Sequence, residues 1–369
     1  AGRPVFTFPL AKGGFRLRYG RCRTSGFSSQ AISPLTMYVL NKFIAIGTQL
    51  KVERPGKSSV VACCDTIEGP IVKLENGDVV APETVDEARN ISNKIVEVLF
   101  LGDLLINYGD FLNRNHVLVP PGYCEEWWVQ ELNQIIEKNK IDLDKENKLL
   151  KDIINNPLRI KPDAKLAIDI SLKYGVPLHP RYIFHWDEIN KEQLLILLNW
   201  YKKATPDKEK IILPFNAGDI NNKDPSNPKR ILELLGVPHK CVLNEHIVIE
   251  NDWSTTLKFI FDNLDITKDD VFDIISAKIK IINKSGTTIG ARMGRPEKAK
   301  MRKLTGAPQV LFPVGEQGGR LRSFQEALRF GYVNAQFPLF FCEKCNKETI
   351  YPVCENCNNN CKQLFYCIR

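Results

Sequence analysis

IGARMGRPEKAKMRK, residues 289–303, orders the rest of the chain around itself. From Ala291 onward it holds six cations (Arg292, Arg295, Lys298, Lys300, Arg302, Lys303) against one acid, Glu297. Gly290, Gly294 and Pro296 punctuate the run. Glycine lets a backbone approach a neighbour closely, and proline fixes the local path. Clustered Lys and Arg on so constrained a loop suit phosphate oxygens, with Arg forking onto them and Lys acting as a mobile point charge. A charge run is ordinarily a solvated surface with no ligand. The Gly/Pro framing and a second basic block shift this one toward binding.

That second block opens the chain. Residues 1–60 carry ten Lys/Arg and one acid, a net +9, and residues 286–330 carry nine cations and three acids, a net +6. The whole chain is only +8, so everything else is net −7. Such segregation is the footprint of a polyanion-binding surface. Within FRLRYGRCR (15–23), Arg16 and Arg18 alternate with Leu17 and Tyr19, the period of a strand. The expectation is a strand with one face in a core and one basic face, extended by Arg21 and Arg23, along a sugar-phosphate backbone.

With 369 residues and 43% hydrophobic content, the chain is long enough for two or three domains. No apolar run reaches the roughly 20 residues that cross a bilayer, and the best, IVEVLFLGDLLI, is broken by Asp103. No signal peptide is visible and there is no initial Met, so the chain reads as a piece of a longer protein or a processed one, in an intracellular setting. Residues 1–82 read as short strands and turns, with Asn76-Gly77 a hairpin turn. From Thr84 to Leu112 the spacing reads as helical, with Thr84 and Glu87 resembling a capping box. A helical middle follows from about Glu125 to Lys284, with helices near 125–138, 144–154, 187–203 and 228–235. Strand character returns in APQVLFPVG (307–315) and at Phe337–Phe341. If the β-rich ends pair into one barrel, both basic blocks meet at one site.

Six of the eleven cysteines fall in the last 28 residues. Cys342, Cys345, Cys354 and Cys357 make C-x2-C-x8-C-x2-C, the spacing of a tetrahedral four-sulfur Zn²⁺ site, structural rather than catalytic. Disulfides suit an intracellular setting poorly. Cys361 and Cys367 are left as members of a second site or spare thiols. The five His show no metal spacing. Trp127-Trp128 reads as a helix anchor in a core rather than a base-stacking pair. GEQGGR (315–320) has neither a Walker spacing nor a Rossmann fingerprint.

The blocks GRPVFTFPLAKGGFRLRYGRCRTSGF, IAIGTQLKVERPGK, INYGDFLNRNH, EEWW, LLGVPHK, IGARMGRPEKAKMRK, QVLFPVGEQGG and CEKCNKETIYPVCENC, in that order, resemble the large subunit of the archaeal family D DNA polymerase, almost end to end. The resemblance implies an α+β chain: a double-psi β-barrel split by a mostly helical insertion, then a C-terminal zinc ribbon or knuckle. The expected segments are 1–124 and 285–336 for the two parts of the barrel, 125–284 for the insertion and 337–369 for the zinc module. It implies a replicative DNA-directed DNA polymerase, a nucleotidyltransferase, whose centre lies between two barrels, one bringing cations and the other acidic Mg²⁺ ligands. By that match Lys300 and Lys303, then Lys298, serve the reacting phosphates, while Arg16, Arg18, Arg21, Arg23, Arg292, Arg295 and Arg302 hold DNA.

The departure from the family pattern is as informative. No Asp-Gly-Asp occurs, and Asn216-Ala217-Gly218-Asp219, which imitates the acidic motif, lacks paired carboxylates and reads as a turn. Two Mg²⁺ ions need at least two convergent acids. The acid-bearing barrel is therefore expected on another polypeptide or segment, and the isolated chain is expected to be inactive. The implied partners are primer-template DNA, dNTP, that Asp-bearing barrel and a small proofreading subunit, with a sliding clamp a further candidate. The implied place is the cytoplasm, at the nucleoid, with no membrane. Two other classes stay open: a non-catalytic nucleic-acid-binding scaffold and a two-barrel relative that makes RNA.

Overall fold

Two short strands separated by one residue decide the architecture around the basic blocks. Thr288–Ile289 and Ala291–Met293 flank Gly290, yet they lie near opposite ends of one eight-stranded sheet. The order runs Val5–Thr7, Ala291–Met293, Gln49–Val52, Ser58–Cys63, Gln30–Ile32, Asp103–Ile106, Phe15–Tyr19, Thr288–Ile289. Consecutive Cα atoms are about 3.8 Å apart, so the sheet must curl until its ends nearly meet. The Leu10 amide, just past one edge strand, donates to the Thr288 carbonyl on the other at 3.3 Å. The result is a nearly closed, barrel-like sheet, built from both ends of the sequence. Two pairs are parallel, Phe15–Tyr19 with Asp103–Ile106 and Gln30–Ile32 with Ser58–Cys63, and the rest are antiparallel.

These elements come from a computed structural model that describes residues 3–20, 30–41, 43–45, 48–56, 58–141, 148–205, 207, 209–216, 220, 222–242, 245–294, 314, 317, 324–333 and 337–365. The chain divides into two units, residues 1–68, 102–121 and 286–369, and residues 69–101 and 122–285. The first unit's core follows strand alternation: Phe15, Leu17, Leu50, Val52, Leu104, Ile106 and Ile289 are all fully buried. Each such side chain contributes roughly 1.5–3 kcal/mol relative to exposure.

The second unit starts earlier in the sequence than the expected insertion at 125, because residues 69–101 belong to it. Ile71–Leu74 pairs with Val79–Val80 across the Asn76-Gly77 turn, where Gly77 has φ +87° and the Asp78 amide donates to Asn76 Oδ1. Ile71–Leu74 also pairs with Ile95–Phe100. The helix expected over 84–112 is thus reduced to two short pieces, Val85–Ile91, capped by Thr84 Oγ1, which accepts from the Glu87 amide, and Tyr108–Leu112, capped by Asn107 Oδ1, which accepts from the Gly109 amide. IVEVLF and DLLI are strands, since runs of β-branched and apolar residues this short do not separate helix from strand by period. Glu125–Lys138, Lys148–Asn155, Lys191–Tyr201 and Pro228–Leu234 are helical where helices are expected. Helices Ala164–Tyr174 and Asn251–Phe261 add to them. So does a three-stranded sheet of Ile211–Pro214, His246–Ile249 and Lys240–Val242, whose strands are too short to announce themselves.

Charge explains why 69–101 belongs with the later helices. Glu233, buried on Pro228–Leu234, accepts from Lys73 Nζ at 2.9 Å, from Arg230 Nη1 at 2.9 Å and from Lys229 Nζ. Arg230 also forks onto Glu97, at 3.0 and 3.2 Å. Lys73 and Glu97 come from adjacent strands of the hairpin sheet, so one ion cluster ties the two segments. A backbone bridge between Val79 and His239 repeats the tie. Burial works to raise the Glu233 carboxyl, and Lys229 with its two fellow cations outweighs it, leaving a net lowering.

Candidate nucleic-acid interface and metal centre

The strand Ala291–Met293 carries the chain from the barrel wall into the basic segment. Ala291 is buried while Arg292 is exposed, as alternation requires. The exit is held on both sides: the Met293 amide donates to the Pro4 carbonyl at 2.9 Å, and the Gly294 amide to the Gln49 carbonyl at 2.5 Å. The glycines have specific reasons. A Cβ on Gly294 would meet Gln49 backbone at 2.9 Å, and one on Gly290 would meet Pro9 at 2.8 Å. Both let the strand approach its own neighbours, which fixes the end of the strand at Gly294. Lys298, Lys300, Lys303, Arg295 and Arg302 themselves lie outside the described residues, as do Arg21, Arg23, Cys367, most of GEQGGR and residues 217–219 of the Asn-Ala-Gly-Asp segment.

Arg292 is directly opposite Lys51 in the antiparallel pair, and Lys51 is opposite Ser58 in the next. Two cations therefore share the outer wall, where like charges facing each other are destabilising. Neither makes an ion pair among the described residues. Lys51 was not singled out by the sequence pattern, because its significance depends on a partner 241 positions away.

Arg16 and Arg18 require a correction. The expected basic face of FRLRY does not meet solvent: the two residues are 6% and 4% exposed. Arg16 Nε donates to Asp103 Oδ1 at 2.6 Å, Arg18 Nη1 donates to Asp103 Oδ2 at 3.1 Å, and Arg16 Nη2 pairs with Glu68 at 2.9 Å. Asp103 is fully buried, opposite Arg16 on the neighbouring parallel strand, and also accepts from the Glu68 amide. Burial works to lower the Arg16 guanidinium, but Asp103 and Glu68 more than offset it, leaving it above its ordinary value. These arginines brace the barrel and are not presented to a phosphate backbone. The signal was available: an acid interrupting the apolar run IVEVLFLGDLLI had to find a cation once that run was buried.

The four cysteines converge. Leu339–Cys342 and Lys347–Thr349 form a hairpin, with Lys362–Leu364 pairing on the other side of Leu339–Cys342. CEKCN (342–346) and CENCN (354–358) are two copies of one turn, and the Asn ending each, Asn346 and Asn358, is left-handed at φ 51° and 54°. Asn is among the few non-Gly residues that visit this region routinely. All four Sγ atoms lie within 4.8 Å of one another, with Cys342–Cys357 at 3.5 Å and Cys345–Cys354 at 3.8 Å. Zn–S bonds of about 2.3 Å put tetrahedral sulfurs roughly 3.8 Å apart, so the donor set and spacing fit a metal such as zinc. The Cys345 amide points at Cys342 Sγ, at 3.4 Å, bringing that thiol down to about 7. Cys361 is half-buried beside the cluster, its thiol on the Asn359 carbonyl, and is not one of the four.

Trp128 is fully buried, donating from Nε1 to the Pro177 carbonyl and meeting His179 edge to face. Trp127 meets Tyr123 in the same way. His179, His185 and His239 are buried, and His116 and His246 stand nearer the surface. Among the described residues the four cysteines are the one group able to hold a metal ion. Asp103 is committed to two arginines, and Asp110 Oδ1 pairs with Arg114 at 2.9 Å.

Comparison with known proteins places the whole chain. Residues 1–369 match the family described as "DNA polymerase II large subunit DP2, central domain". The chain belongs to that family. It is 40% identical to the DNA polymerase II large subunit of Nanoarchaeum equitans over 401 aligned positions, covering all of this chain and 32% of the relative. Against the namesake subunits of Pyrococcus horikoshii and Archaeoglobus fulgidus the identities are 38% and 39%, again over all of this chain, and over 28% and 31% of those relatives. The chain thus spans about a third of the length of these polymerase large subunits. Among the described residues no helix is long and apolar enough to cross a membrane.

Proposed function

We propose that this chain supplies the cationic part of a nucleotidyl-transfer site in the large subunit of a replicative DNA-directed DNA polymerase. The observation that carries the reading is the anchoring of the strand that immediately precedes the basic segment: Ala291–Met293 and Gly294 are held between Pro4 and Gln49 on a nearly closed barrel. Preorganised charge is what phosphoryl transfer asks of a protein, because the chemistry needs positioning and electrostatic stabilisation more than covalent help. In this reading Lys300 and Lys303, with Lys298 behind them, face the nucleotide phosphates, and Arg292, Arg295, Arg302, Arg21 and Arg23 hold primer-template DNA. Arg16 and Arg18 leave that set. The two parallel pairs in the closing sheet support a double-psi arrangement split by the helical insertion, and the four cysteines support a structural zinc module.

Mg²⁺ would be held by carboxylates on an acid-bearing barrel carried by another polypeptide or segment. A small proofreading subunit, and a sliding clamp, are the partners this reading expects, at the nucleoid. The isolated chain should bind DNA weakly and extend nothing. Primer extension by the chain together with the acid-bearing partner separates the classes. Extension with dNTPs supports the reading, extension confined to NTPs makes it an RNA-synthesising relative, and DNA binding without extension leaves a scaffold.

A further inference from the structure

The outer wall of the barrel holds a groove of about 230 Å³, of which the reading above uses only Arg292. Phe8, Pro9, Lys51, Glu53 and Arg292 are among the residues that line it. The Phe8 ring stands 69% exposed at the groove. Its position is fixed: the Ala11 amide donates to the Phe8 carbonyl at 3.3 Å, and Pro9 rests against Gly290 so closely that any side chain there would displace it. Glu53 makes no ion pair with either cation, and its Oε1 accepts from the Gly290 amide. An exposed ring beside two facing cations without ion pairs is complementary to one kind of ligand: a flat, polarisable group attached to an anion.

We propose that this groove binds one nucleotide of single-stranded DNA, the base stacking on Phe8 and the adjoining phosphate bridging Lys51 and Arg292. The proposal rests on the DNA-binding reading and sharpens it to strand type. Stacking needs an unpaired base with a free face, which duplex does not offer, whereas two cations alone would not discriminate. The phosphate also removes the repulsion between Lys51 and Arg292 that the apo wall carries. Gly290 sets the width of the groove through Pro9.

The test uses the whole chain, a fluorescein-labelled oligothymidylate of about ten nucleotides and a blunt duplex of equal length, in a salt titration. Phe8→Ala should weaken single-strand binding by roughly five- to hundredfold and leave duplex binding within twofold. Phe8→Trp should retain the affinity and have its added fluorescence quenched by the oligonucleotide. Lys51→Gln and Arg292→Gln should each flatten the single-strand salt dependence by about 0.7. Because Phe8 is outside the core, Phe8→Ala should melt with the wild type, so a binding loss is not a folding loss. Equal losses for single strand and duplex, or flattened salt slopes with Phe8→Ala unchanged, would overturn the stacking site while leaving DNA binding intact. A change in oligomeric state on Phe8→Ala with unaltered oligonucleotide affinity would make the groove a protein contact and refute the proposal. A wild-type chain that binds neither nucleic acid would overturn both readings.

Discussion

Asp103→Ala is the most informative single perturbation of the barrel. The carboxylate accepts from Arg16 Nε, Arg18 Nη1 and the Glu68 amide in a fully buried position. Removing it leaves both Arg16 and Arg18 buried without that counter-charge, with the Glu68 pair still on Arg16. Breaking a buried ion pair from one side costs about 3–5 kcal/mol, and an orphaned backbone amide adds about 1 kcal/mol or more. For a unit of this size 1 kcal/mol moves Tm by about 2–4 °C, so the first unit's transition should fall by roughly 8–24 °C. Replacing the whole network, as Arg16→Met with Arg18→Leu and Asp103→Leu, should recover most of that loss, because apolar groups of similar volume leave no charge to solvate. Differential scanning calorimetry on the three proteins measures this, with DNA affinity recorded across salt. An unchanged transition in Asp103→Ala, or an Arg16→Met and Arg18→Leu pair that keeps its Tm while its DNA salt slope flattens by about one per residue, would refute the internal role. The two arginines would then be phosphate contacts.

Other outcomes follow from the ion cluster and the cysteines. Glu233→Gln should destabilise the second unit by about 3 kcal/mol at neutral pH by leaving Lys73, Lys229 and Arg230 short of a counter-ion. The Glu233 carboxyl is lowered on folding, so its contribution is complete above its ordinary value of 4.5 and fades as pH falls through the lower folded value. The gap between wild type and variant in denaturant titrations should therefore close at acid pH, and a gap that widens there would contradict the assignment. Elemental analysis of chelator-free protein should find about one zinc per chain, and Cys354→Ser should release it while leaving the barrel's unfolding transition in place. Metal-free wild type would remove the metal reading.

The sequence disclosed the elements whose signals are local. C-x2-C-x8-C-x2-C, Asn76-Gly77, Glu125–Lys138 and the Thr84 cap need only residues a few positions apart, and each stands where it was expected. What failed depended on distant partners. The alternation in FRLRY correctly gave a strand with Arg16 and Arg18 on one face, but alternation does not say what covers that face. Asp103 does, 85 residues later. The same limit hid the Lys51–Arg292 pair and put 69–101 in the wrong unit, because its allegiance is set by Lys73 and Glu97 finding cations and acids on Pro228–Leu234. The family resemblance supplied the overall assignment, and the roots of the basic segment supply its physical sense.

The central claim is tested most directly by single-turnover nucleotide addition. Rapid-quench measurements on Lys300→Ala and Lys303→Ala, with saturating DNA and the acid-bearing partner present, should show rates lower by roughly 10²–10³. DNA affinity should change by only a few-fold, because a fixed cation at the phosphates stabilises charge that shifts in the transition state more than charge already present in the bound state. Near-wild-type rates in both variants, with weakened DNA binding instead, would contradict the account and make residues 295–303 a tether rather than part of a catalytic centre.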